Sequence, residues 1–125
     1  MAPIARWLGE HDVPGEIYVI DPTANKVSVF TADGNFSNSW SVSGTGICSD
    51  SEGNIYVSGY SWGNILKFDS FGNLLTSWTH DLTIATDVCC DSQDYIYVAD
   101  FNVVKKFDSN GNFILQWETD RKSVV

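Results

Sequence analysis

The chain has 125 residues, with sixteen acidic side chains against seven basic ones and a net charge of −9. An apolar share of 43% with only 18% charged residues argues against a disordered, highly solvated polymer. The acidity argues against nucleic acid and anionic membrane surfaces as partners, because a polyanion would meet like charge and no basic stripe.

Five Trp, five Tyr and seven Phe in so short a chain favour strands over helices. The first stretch, residues 3–9, holds Trp7 and lies unusually close to the strand core Ile17-Tyr18-Val19. Nine residues separate Trp7 from Ile17, against fourteen between Trp40 and Ile55. Residues 3–9 are therefore either a first strand in altered form or the last strand of another unit, ending on Trp7. A third strand ends on Phe30, an Asp33-Gly34 turn follows, and Phe36, Asn38 and Trp40 share one face of a fourth strand by period-2 alternation.

The second unit is the most regular. Gly46 to Asp50 reads as a strand, Asp50-Ser51-Glu52-Gly53-Asn54 as a tight turn, and Ile55-Tyr56-Val57 as the next strand core. Asn64 to Phe68 and then Leu74, Thr76 and Trp78 complete the set. The third unit repeats this order with Asp87 to Asp91, Ile96-Tyr97-Val98, Phe107, Gly111-Asn112 and Phe113, Leu115, Trp117. Its connection between second and third strands is two residues shorter.

These markers keep one register. Ile-Tyr-Val recurs after 38 and 41 residues, and the Phe, Gly-Asn and Trp markers each recur after 38 and 39. Units of about 40 residues with four antiparallel strands, Gly turns and aromatic markers describe β-propeller blades. The expected fold is all-β, three four-stranded blades at about 3–40, 41–78 and 79–118 within one domain, with 119–125 as a C-terminal tail. Blades bury both faces of their sheets, so a three-blade arc leaves two apolar faces uncovered. A second copy would close the ring in a symmetric homodimer. The rival account is a fragment of a longer propeller. Trp40, Trp78 and Trp117 are expected to pack between adjacent blades or, for an outer blade, at the seam with a second copy.

The Asp-containing turns superficially resemble calcium loops. For Asp108, Asn110 and Asn112 the required Gly at position six is Phe113, and position twelve is Thr119 instead of Glu, so the EF-hand reading fails. Turn chemistry suffices: Asp caps through its own backbone and Gly takes the positive φ. Asp50 and Asp91 are weak calcium candidates facing a central channel, against the simpler role of turn caps. Three cysteines cannot form a complete disulfide framework. Cys48 and Cys89 hold matching places and read as small buried hydrophobes. Strands of facing sheets stand roughly 10 Å apart, beyond the ~7 Å Cα limit for a disulfide, although blades converge towards the propeller axis. His11 and His80 fall in different repeats and read as solvated loop residues.

The segments Gly46 to Val57 and Lys67-Phe68-Asp69-Ser70-Phe71-Gly72-Asn73 to Trp78 resemble an NHL repeat, as do Tyr97-Val98-Ala99-Asp100 and Lys106 to Gly111. The resemblance spans residues 15 to 118. The chain departs from the pattern at Gly59, where its sister units have Asp21 and Asp100, and in retaining the basic start of the third strand only as Lys26. The resemblance implies a ring of six blades, half of which this chain supplies. It implies either a non-catalytic module binding a protein, peptide or small ligand, or a calcium-dependent lactonase-like or lyase-like enzyme. With two histidines the lyase version has too few ligands, so no catalytic residue and no obligatory cofactor is expected. No apolar run of spanning or signal-peptide length is visible, which favours a soluble, cytoplasmic protein.

In an up-and-down blade the connections between second and third strands share one side with the linkers between blades. These connections carry the unusual residues. Tyr60, Trp62 and Phe101 are expected to line a binding face around the channel, with His80, Asp21 and Asp100 as further candidates. The competing reading is that Trp62 and Phe101 cover the rims of their own blades.

Overall fold

Alternating apolar and polar residues, interrupted by Asp-capped glycine turns, give short strands throughout the described residues. The computed structural model describes the backbone of residues 4–8, and residues 15–59 and 63–119. The first four strands are β1 (Ile4–Leu8), β2 (Glu16–Asp21), β3 (Lys26–Thr31) and β4 (Phe36–Ser41). The next four are β5 (Gly46–Ser49), β6 (Ile55–Gly59), β7 (Asn64–Phe68) and β8 (Leu74–Trp78). The last four are β9 (Ala85–Cys90), β10 (Ile96–Asp100), β11 (Val103–Phe107) and β12 (Phe113–Glu118). They form three antiparallel four-stranded sheets, each in sequential order. β1 pairs with β2, Trp7 opposite Ile17, so residues 4–8 begin the first sheet and do not end another.

The turns form as their residues dictate. Asp69 Oδ1 accepts hydrogen bonds from the Phe71 and Asn73 amides, and Asp108 Oδ1 from those of Asn110 and Asn112, each at 2.9 Å. Gly72 and Gly111 take φ of 92° and 89°, a region open to glycine without a Cβ penalty. The same register shift follows in every sheet, at Val29/Phe30, Lys67/Phe68 and Lys106/Phe107. Each fourth strand therefore meets its third strand in the same irregular way.

Packing is between sheets. Tyr18, Ile20 and Val29 of the first sheet close on Ile47, Val57 and Phe68 of the second. Cys48, Tyr56 and Ile65 on the opposite face of the second sheet close on Val88, Val98 and Phe107 of the third. The middle sheet is thus covered on both sides, and every residue of β6 is buried. Burying such side chains is worth about 1.5–3 kcal/mol each. The first strands β1, β5 and β9 are successive neighbours, with the fourth strands outermost. The outward faces of the first and third sheets have no described neighbour.

Candidate functional site

Phe101 and Asn102 form the short connection between β10 and β11. Phe101 is 70% exposed and has φ of 55°, an unusual conformation for a bulky residue. Tyr60, Trp62 and His11 lie outside the described residues.

The other candidates serve the backbone. Asp21 Oδ1 accepts from the Thr23 and Ala24 amides and caps the turn before β3. Asp100 is buried at the β10 register shift that sets it apart from Ala99. Its carboxylate accepts from the Thr83 amide at 3.1 Å, the Ile84 amide at 2.7 Å and the Thr83 hydroxyl at 3.0 Å. It pins the linker between sheets. His80 stands on that same linker with φ of 36°, stacked 4.2 Å from the Phe113 ring and edge-on to Phe107. It is exposed, but it belongs to the seam between the second and third sheets.

Asp50 Oδ1 accepts from the Glu52 and Asn54 amides, at 2.9 and 3.0 Å. Its Oδ2 accepts from the Tyr56 hydroxyl at 2.7 Å and the Asn54 side-chain amide at 3.3 Å. A carboxylate has about four acceptor sites, so these donors occupy it. Burial first, then the Asp50 hydrogen bond, pushes the Tyr56 phenol far above its usual range. Asp91 repeats the arrangement with the Gln93 and Tyr95 amides and the Tyr97 hydroxyl. Among the described residues no group of three or more His, Cys, Asp or Glu is placed to hold a metal ion.

Two features escaped the sequence reading. Lys67 is buried, and its ammonium donates to the Ser109 carbonyl of the next sheet at 2.7 Å. Lys105 likewise donates to the carbonyls of His80 and Asp81. Cys48 is buried as expected, but Cys89 is exposed, because strand alternation turns it to the uncovered face of the third sheet. Convergence of the inner strands sets Cys48 against Cys90, with Sγ atoms 2.7 Å apart, closer than the general spacing of stacked sheets suggests.

The seams share one construction. Trp40 packs 5.6 Å from Phe68 of the next sheet, and a Cβ on Gly72 would stand 2.6 Å from its ring. Trp78 packs 5.6 Å from Phe107, and a Cβ on Gly111 would stand 2.6 Å from its ring. The ends of the array are the two halves of this arrangement. Trp117 touches Tyr97 of its own sheet and is 37% exposed. Among the described residues nothing lies within 4 Å of where a Cβ on Gly34 would stand. A recess of about 170 Å³ lined by Asp87, Cys89, Tyr97 and Val104 lies on the same outward face as Trp117.

The SBBP β-propeller repeat matches residues 36–67. No curated protein matches the chain. Among solved structures, a streptogramin B lyase superposes with TM-score 0.72 at 15% identity, over 86% of this chain and 38% of the other. BamB from Moraxella catarrhalis gives 0.70 at 20% identity, over 92% and 34%. Sqt1 from Saccharomyces cerevisiae gives 0.69 at 14% identity, over 81% and 30%. The chain spans between 30% and 38% of the length of these structures. At such identities the likeness shows the fold alone. The fold is a β-propeller.

Proposed function

We propose that this chain is a non-catalytic binding module of the NHL type, three blades of a six-bladed ring that a second copy completes. The observation that carries the closure is the complementarity of the two ends. Among the described residues Trp117 has no counterpart of the aromatic ring and Gly turn that Trp40 and Trp78 each receive from the following blade. Phe30 and Gly34 of the first blade hold the register positions of Phe68 and Gly72. A second copy offers its Phe30 and Gly34 to Trp117, and its own Trp117 to the first copy. Lys106 adds to the match, because it holds the register position of Lys67 and lies over the Tyr95 and Tyr97 rings. The Ala32 carbonyl of a second copy corresponds to the Ser109 carbonyl that Lys67 reaches.

In this reading the ring is a rigid scaffold that holds Phe101, with Tyr60 and Trp62, towards a protein, peptide or small ligand. The commitment of Asp21, Asp50, Asp91 and Asp100 to turns, linkers and tyrosine hydroxyls supports binding over catalysis. Light scattering after size exclusion tests the closure: two copies of the 13.8 kDa chain are expected, and Trp117→Asp should leave a folded single copy. A parent chain that stays soluble as a monomer at all concentrations overturns the dimer and points to further blades on a longer chain.

A further inference from the structure

Cys48 and Cys90 meet across the seam between the second and third blades, Sγ to Sγ at 2.7 Å. Unbonded sulfurs rest further apart, and the S–S bond measures about 2.05 Å. The backbone holds the pair in place from both strands. Thr45 Oγ1, next to the start of β5, donates to the Ala85 and Thr86 carbonyls at the start of β9. Gly46 permits the approach, since a Cβ there would stand 2.7 Å from Asp87 Cα. The pair is also peculiar to this seam. Cys48 is opposite Tyr56 and Cys90 opposite Ile96, and the same register positions at the first seam belong to Arg6, opposite Tyr18, and Ser49, opposite Ile55. Repeat symmetry alone therefore does not account for two facing thiols.

We propose that Cys48 and Cys90 form an oxidisable site that closes into a disulfide between the second and third blades, with a hydroperoxide as the oxidant. Cys90 ends β9 and is half-buried, whereas Cys48 is buried, so the oxidant reaches Cys90 first. The Cys90 thiolate attacks one peroxide oxygen, the O–O bond breaks, and a sulfenic acid forms with release of an alcohol or water. The Cys48 sulfur then displaces the sulfenic hydroxyl, which leaves as water with the Cys48 proton. Two thiols lose two electrons and two protons, and the hydroperoxide takes up both. Burial, then the hydrogen bond with Cys90, pushes the Cys48 thiol well up, so it waits protonated beside the sulfur that reacts first. Contact between the sulfurs favours closure over further oxidation.

The test is treatment of the full chain with hydrogen peroxide, followed by thiol blocking, digestion and mass spectrometry. The expected product joins the Cys48 and Cys90 peptides with the loss of two hydrogens, in the parent and in Cys89→Ser, and a dithiol reductant reverses it. Oxidised Cys89→Ser should melt roughly 10 °C above its reduced form, since the bond closes a long loop. Cys48→Ser and Cys90→Ser should show neither the link nor the shift. A Cys89–Cys90 link, links between chains only, or Cys90 passing to sulfinic acid beside an unreacted Cys48 overturns the proposal. Fragmentation of the linked peptide between the adjacent Cys89 and Cys90 locates the bond in the parent itself, whatever the folding of the serine variants.

Discussion

Phe101 shows what a single residue can reveal about its role. A non-glycine residue in the left-handed region costs about 1–2 kcal/mol, and a ring 70% exposed recovers little of that by burial. Phe101→Gly should therefore raise stability by about 1 kcal/mol, read from the denaturant midpoint. A loss of stability would mean that the ring packs on the protein, and the loop-face reading would fall. The turn carboxylates make a second prediction. The Asn73 side-chain amide holds Asp69 below its usual range, and the Ser51 hydroxyl does the same for Asp94. Groups depressed in the folded state bind fewer protons than in the unfolded chain, so their stabilisation is present above an unfolded pKa of about 3.9. It is lost as pH falls through the folded values. Midpoints should hold steady between roughly pH 7 and 5 and drop below about 4. A rise on acidification would mean that relief of the net charge of −9 outweighs the caps.

The fourth strands are where the blades lock together. Trp78 lies between Tyr56 of its own blade and Phe107 and Gly111 of the next. Trp78→Ala should cost about 3–5 kcal/mol, a large part of a typical stability of roughly 5–15 kcal/mol. Under dilute conditions, where a single copy prevails, Trp117→Ala should cost clearly less, because no second blade covers that ring. Melting curves of the two variants check the order. Equal losses would show that the tryptophans act within their own sheets and not across the seams. Gly111→Ala offers a further check, since its φ of 89° and the Trp78 ring both oppose a Cβ.

For the whole molecule the governing quantities are the open ends and the charge. Two copies of net charge −9 repel as they approach. Raising ionic strength from about 0.01 to 0.15 M shortens the screening length from roughly 30 to 8 Å. The proposed dimer should tighten over that range, as measured by sedimentation equilibrium. Weakening with salt would show that ion pairs across the seam hold the copies, a different interface from the aromatic one described.

Repeat spacing and alternation already dictated the strands, the Asp-capped turns and the tryptophan stacking, because each follows from local backbone chemistry repeated three times. Trp40 and Trp78 could be placed between blades from their register, and Asp50 could be read as a turn cap from the residues beside it. Repeat matching paired Cys89 with Cys48 as a buried residue, yet it could not tell which face a distant blade covers, and Cys89 is exposed. That depends on how closely β5 and β9 converge, a distance governed by Gly46 and Thr45 and absent from any local pattern. The inward turn of Asp100 likewise depends on a register shift in β10 and on a linker that returns from sixteen residues earlier. Sequence determined the blade, because its forces act between near neighbours. Only tertiary structure decided which thiols meet, which carboxylate is occupied and which tryptophan is left uncovered, because each depends on the approach of strands remote in the chain.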